Sequence, residues 1–261
     1  MSDPGPTSLT FEPLFAATGA VAAVIYARAA RRHHPGALRV ASFSAGLLLI
    51  VVALNSPLET LAVHYLLLAH LVQNALIADW APPLLLLGLS RPMWAAASAA
   101  VPTPLHGLSN LGVALVIWLG TWYLVHLAAF YDYALRHPSW LNLEHAVLVF
   151  AGLIFWAPVV GARWWARSPA VLVPYLLVAF VAASFLGLAF TFIPHPFYDY
   201  YVHVPRLGGI SPTEDQNLAG IAMSAEQSLI FLGAIAYILI LLADREQDRV
   251  EAGETRREHD G

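Results

Sequence analysis

Four side chains that are costly in hydrocarbon, His64, His70, Asn74 and Asp79, lie within residues 64–89, a stretch otherwise fit to span a bilayer. Polar groups in such settings usually face a bundle interior and mark sites for metals, ions or protons. His126 and His145 add two imidazoles at the edges of later apolar stretches, and imidazole ligates Cu, Zn, Fe and Ni. His70 and Asn74 are four residues apart and share one face of a helix. Glu144 precedes His145, and adjacent residues diverge on a helix, so Glu144 either orients a group on another segment or ends in the interface. The chain has no cysteine, which excludes disulfides, thiolate metal sites and CxxC redox chemistry. Any metal must therefore be held by His, Met, carboxylate or backbone groups.

Two further acids sit in apolar surroundings: Asp79, nine residues beyond His70, and Glu226, which follows Met223 and Ser224. Two readings stand for each: a neutral carboxyl bonded to a neighbouring helix, or a proton or cation relay. The aromatics of FYDY (130–133), RWW (163–165) and HPFYDYYVH (195–203) are mostly expected in interfacial belts rather than in a cofactor site.

The elements that position these residues follow from hydropathy. The chain is 59% hydrophobic and 11% charged, whereas a soluble domain carries about 25% charged residues. A span needs roughly 20 apolar residues, and seven windows qualify: 9–30, 38–55, 62–89, 109–130, 144–161, 171–193 and 216–242. Pro57, Pro102, Pro138, Pro169, Pro194 and Pro196 punctuate the connections, and Pro82-Pro83 should kink or break the third helix. Arg28, Arg31, Arg32, Arg39, Arg91, Arg163, Arg167, Arg245, Arg249, Arg256 and Arg257 fall on one side of this arrangement, against Arg136 and Arg206 on the other. By the positive-inside rule the N-terminus is outside and the C-terminus cytoplasmic. The expected fold is thus all-α: one polytopic membrane bundle of seven transmembrane helices over residues 1–243, with a charged cytoplasmic tail over 244–261 that is a frayed helix or disordered. Residues 91–101 are short and weakly amphipathic and are expected in the inner interface. The first residues lack a basic n-region, so no signal peptide is read. On this topology His64, His70, His126, His137, His145, His195 and His203 lie towards the outer side.

HLVQN (70–74) followed by APPLLLLG (81–88) resembles the His-x-x-Gln-His…Ala-Pro-Pro-Leu-Leu segment of the CtaG-type cytochrome c oxidase assembly proteins. HLAAFYDYAL (126–135) with LEHAVLVFAGLIFWAPVVG (143–161), and then SPTEDQNLAGIAM (211–223), resemble two further segments of that family in the same order. The resemblance covers roughly residues 40–240 and implies a non-enzymatic role in supplying copper to the oxidase. It implies His70, His126 and His145 as metal-associated positions, with His64 or Met223 as auxiliary ligands. It places Asp215 and Gln216 in the outer motif that opens the last span, where a helix cap and polar anchor is the alternative reading. This chain departs from the pattern at Leu71, Asn74 and Leu141, where Met, His and His are expected.

The leading expectation is a copper-handling assembly factor, a metallochaperone of the respiratory chain in the cell membrane, taken as a bacterial inner membrane. Its cargo would be Cu(I), and its partners the lipid bilayer and haem-copper oxidase subunits. Nucleic acid is not expected as a partner, and no catalytic residues are assigned. Oligomeric state is not legible, because lipid-facing and partner-facing surfaces have the same composition. Two other classes remain open: a haem-binding electron carrier with His70 and His126 or His145 as axial ligands, and an ion or small-solute transporter using Asp79 and Glu226.

Overall fold

Prolines and short polar caps set where the helices begin. Proline at a first helical position has no N–H to leave unpaired and its φ is already helical. It opens α1 (Pro13–His33), α3 (Pro57–His64), α9 (Pro138–Gly161) and α12 (Pro212–Asp260). Asn110 caps α7 (Leu111–Val125), its Oδ1 accepting from the Gly112 N–H at 2.9 Å. Ahead of α12, Ser211 and Glu214 form a reciprocal capping box: the Glu214 N–H donates to Ser211 Oγ at 3.2 Å and the Ser211 N–H to Glu214 Oε2 at 2.7 Å.

The structure, a computed structural model, describes residues 4–161 and 169–260, and among the described residues there is helix but no strand. The remaining elements are α2 (Ala37–Leu54), α4 (Leu67–Ala75), a π-helical turn (Leu76–Trp80), α5 (Ala81–Leu87), α6 (Arg91–Ala100), α8 (Ala128–Arg136), α10 (Leu172–Phe192) and α11 (Asp199–His203), with short 3-10 turns at Thr103–Ser109 and Pro169–Val171. Five helices are long and apolar enough to cross a membrane, or seven when each of two bent pairs is counted as one span. The bent pairs are Leu67–Leu87 with Arg91–Ala100, turned by 117°, and Leu111–Val125 with Ala128–Arg136, turned by 69°.

The helices alternate in direction, so the start of α1, the end of α2 and the start of α9 meet at one end of the bundle. There the Glu12 N–H donates to Asn55 Oδ1 at 2.8 Å and Asn142 Nδ2 donates to Glu12 Oε2 at 3.2 Å. At the opposite end Tyr26 donates to the Gly88 carbonyl at 2.9 Å and Ser42 to the Leu84 carbonyl at 2.8 Å. Between the two ends lies an aromatic core in which Trp118 stacks on Phe155 at 4.6 Å and Phe155 on Tyr175 at 4.8 Å.

Two expectations from the sequence are revised. The third window splits: α3 ends at His64, and α4 starts after a break at Tyr65 and Leu66. Pro82-Pro83 does not break the helix that follows, because the backbone widens into the π turn just ahead of it and continues helically to Leu87. Pro82 leaves the Ala78 carbonyl without its helical N–H partner, and α9 approaches there through Gly152, where a Cβ would overlap that carbonyl oxygen. The tail is helical through Asp260 as a continuation of α12. Arg163, Arg167 and the RWW segment lie outside the described residues.

Candidate functional site

Near the end of the bundle that holds the start of α1, three helices bring their histidines together inside the protein. His70 comes from the first turn of α4, His126 from the C-terminus of α7 and His145 from the second turn of α9. All three are buried. The His70 and His145 rings are 5.9 Å apart between centres, and Tyr131 stands between His70 and His126 at 4.9 and 6.0 Å.

Hydrogen bonds fix the ring orientations of two of them. Tyr201 donates its hydroxyl to the Ala62 carbonyl at 2.6 Å, so the same oxygen can only accept from His70 Nδ1 at 3.0 Å. Burial pushes the Tyr201 phenol well up, which keeps that O–H in place. His126 Nδ1 lies 2.7 Å from the Trp122 carbonyl, which can only accept. In both rings Nδ1 therefore carries a proton that it donates to an oxygen. Neither Nε2 has a hydrogen-bond partner among the described residues, and His145 is unpartnered at both nitrogens.

Glu144 is the acid of this cluster. It turns away from His145 and towards α4, where Asn74 Nδ2 donates to its Oε1 at 3.0 Å and His70 Nε2 approaches the same oxygen at 3.5 Å. The shared face of His70 and Asn74 is thus the face read by Glu144. One turn away, Gln73 donates to the Ala53 carbonyl at 2.8 Å and also to the Glu59 carboxylate. Burial pushes the Glu59 carboxyl up to about 7, with the Gln73 hydrogen bond acting against it.

Asp215 and Gln216 hold this end closed without belonging to the cluster. Asp215 accepts from the Leu67 and Leu68 N–H groups at 2.8 and 3.0 Å and so caps α4, which has no cap of its own. Its own helix is capped by Ser211. Gln216 accepts from the Phe197 N–H at 2.6 Å and donates to the His195 carbonyl at 3.1 Å, pinning the segment that leads to Tyr198.

The other expected residues are elsewhere. His64 lines a surface cleft of about 250 Å³ with Arg136, Tyr200 and His203. Met223 lines a separate cavity with Glu226. Asp79 is buried in the π turn beside the Trp118 and Trp156 indoles, with neither carboxyl oxygen hydrogen-bonded among the described residues.

Sequence reasoning missed Glu59 and the three tyrosines. Ser56-Pro57-Leu58-Glu59 has the Ser-x-x-Glu pattern of a capping box, which disguises a buried acid as an exposed one. Tyr131, Tyr198 and Tyr201 were expected in an interfacial belt, yet they are 0%, 1% and 2% exposed and line the histidine cluster. Tyr198 stacks on Tyr131 at 4.1 Å and donates to the His126 carbonyl at 3.0 Å.

Fold and site together define a polytopic helical protein with a buried histidine, carboxylate and tyrosine cluster at one end of its bundle. A family model described as cytochrome c oxidase caa3 assembly factor matches residues 21–245, and the chain belongs to that family. No curated protein and no solved structure matches it.

Proposed function

We propose that this chain is a membrane assembly factor for cytochrome c oxidase that takes up copper through His70, His126 and His145 and passes it on by ligand exchange. One observation carries the reading. His70 and His126 each engage Nδ1–H with an oxygen and leave Nε2 without a hydrogen bond, that of His70 standing 3.5 Å from Glu144 Oε1; an Nδ1–H held by an oxygen is what metal-binding imidazoles adopt. His145, unbonded at either nitrogen, is the ring most able to turn towards an incoming ion.

Among the described residues no three His, Asp or Glu side chains already stand in ligand geometry. That suits a cargo, which needs few ligands and an easy exit, better than a resident structural metal. Two imidazoles are acceptable to Cu(I), although thioether and thiolate are its softer partners. The Glu144 carboxylate beside His70 would offset the charge of the ion.

In this reading the chain crosses a cell membrane seven times with the histidine end outside, in keeping with the arginine bias of the connections. Its partners are oxidase subunits presenting an empty copper site. A haem carrier is disfavoured, because Tyr131 fills the space between His70 and His126 that a porphyrin would need.

The test is anaerobic loading of the purified protein with Cu(I), followed by desalting and metal analysis, with His70→Ala and His145→Ala alongside. Copper kept by the wild type and lost by both variants supports the reading. A folded wild type that keeps none removes the copper cargo and leaves a scaffold for oxidase assembly.

A further inference from the structure

His70, His126 and His145 are buried, so an ion reaches or leaves them only where part of the wall around them moves. On three sides that wall is fastened by hydrogen bonds that are themselves buried. Tyr201 bonds the Ala62 carbonyl, Tyr198 bonds the His126 carbonyl, and the Asp215 carboxylate holds the Leu67 N–H.

The side formed by α1 is built differently. Phe15, in its first turn, meets the His145 ring edge-on with centroids 6.0 Å apart, and is itself 7% exposed. A single ring thus touches both the histidine and the surface. Glu12 and Asn142 are bonded to each other at 3.2 Å, and each stands three residues before a member of that pair, so the start of α1 runs beside the start of α9.

α1 is also fastened unevenly. Of its 21 residues, Phe15, Gly19 and Tyr26 are the buried ones. Towards its far end Tyr26 stacks on Phe43 at 3.8 Å, and its buried hydroxyl bonds the Gly88 carbonyl at 2.9 Å. The end over the histidines is held instead by the chain ahead of it, residues 4–12. The Thr10 and Thr60 hydroxyls are 2.6 Å apart, Thr60 donates to the Ser8 carbonyl at 2.8 Å, and Tyr65 donates to the Pro4 carbonyl. The Glu12 N–H donates to Asn55 Oδ1 at 2.8 Å, and the Asn142–Glu12 bond completes the set. All five are only part-buried, so water can replace either partner at small net cost. Elements that open for binding are drawn from such weakly held regions.

We propose that Phe15 is the gate of the histidine cluster and that residues 4–12 are its latch. When the latch bonds exchange with water, the start of α1 swings away from α9 about the anchored Tyr26 end and uncovers His145. Neither nitrogen of His145 is hydrogen-bonded among the described residues, which suits it to be the first group an entering ion meets. The identity of that ion rests on the copper reading above, whereas the opening does not.

The test therefore uses no copper. Diethylpyrocarbonate modifies accessible neutral imidazoles, and peptide mass spectrometry gives a rate for each histidine of the whole protein in lipid nanodiscs. The chain has no cysteine, and the Thr10 and Thr60 oxygens, 2.6 Å apart, stand near where two bonded sulfurs would. Thr10→Cys with Thr60→Cys should thus lock the latch on oxidation and free it on reduction, with the disulfide confirmed by mass. His145 should react at least about tenfold more slowly in the oxidised form than in the reduced form, and faster in Phe15→Ala than in the wild type. Exposed His137 and His203 should react alike in every form. Equal His145 rates in the oxidised and reduced forms would overturn the proposal whatever Phe15→Ala does, because the cluster would then open elsewhere. If Phe15→Ala does not fold, the oxidised and reduced forms alone decide. A wild type that binds no copper, together with a His145 rate that follows the latch, would remove the cargo and keep the gate.

Discussion

Asp215 and Leu67 are 148 residues apart in sequence, yet the Asp215 carboxylate accepts the Leu67 N–H at 2.8 Å and fixes the first turn of α4. His70 is in that turn, so one side chain of the last span sets the height and rotation of a histidine in the third. Removing a cap of this kind costs about 1–2 kcal/mol, and more where the freed N–H is buried. Asp215→Ala should lower the thermal midpoint and speed hydrogen exchange at the Leu67 and Leu68 amides. Asp215→Asn, which keeps one acceptor oxygen, should lie between. Unchanged exchange at both amides in Asp215→Ala would refute the cap.

Tyr201 fixes the orientation of the His70 ring through its hydroxyl. Tyr201→Phe removes that lock with little change in volume and strands the Ala62 carbonyl. If His70 handles copper, losing the group that orients a ligand should weaken Cu(I) binding roughly 10- to 100-fold. Competition with a chelator of known affinity measures this. Wild-type affinity in Tyr201→Phe would show that the phenol serves packing alone.

Glu59 makes stability depend on pH in a direction unusual for a carboxylate. Its carboxyl is raised from 4.5 to about 7 by burial, so between those values the folded chain holds a proton that the unfolded chain has released. Stability attributable to Glu59 is therefore highest below about pH 4.5 and falls as pH rises through 7, by about 3 kcal/mol in all. The thermal midpoint should drop between pH 5 and 8, and Glu59→Gln should flatten that slope. An equal slope in both proteins would exclude Glu59 as its source.

α10 and α12 touch backbone to backbone. A Cβ at Gly220 would lie 2.5 Å from the Thr191 nitrogen and 2.7 Å from the Gly187 carbonyl oxygen, whereas one at Gly233 meets nothing within 4 Å. Small residues at such crossings let membrane helices pack closely. Gly220→Val should reduce the yield of folded protein severely, with an expected cost above about 2 kcal/mol, while Gly233→Ala should be neutral. Detergent-resistant folded yield, measured by size-exclusion chromatography, separates the two.

Much of the architecture was legible because its causes are local. Runs of apolar residues long enough to cross a bilayer, and prolines that start helices, act on the chain where they stand. The polar residues within those runs had to turn inward, because hydrocarbon offers them no hydrogen bonds. That logic picked out His70, Asn74, Asp79, His126 and His145, all of which are buried. It failed for His64, which belongs to a surface cleft, and for Tyr131, Tyr198 and Tyr201, whose amphipathic rings suit an interface and a core equally well.

The sequence by itself thus determined an all-helical chain with several membrane-fit segments and a short set of inward polar groups, since hydropathy and the cost of burying polarity can be read along one dimension. Only the tertiary structure decided which of those groups meet. Asp215 caps a helix other than its own, Glu144 bonds Asn74 rather than its neighbour His145, and Tyr201 holds His70. Those partnerships depend on how each helix is rotated and offset against the others. Side-chain packing across the whole bundle sets that rotation and offset, and no single segment encodes either.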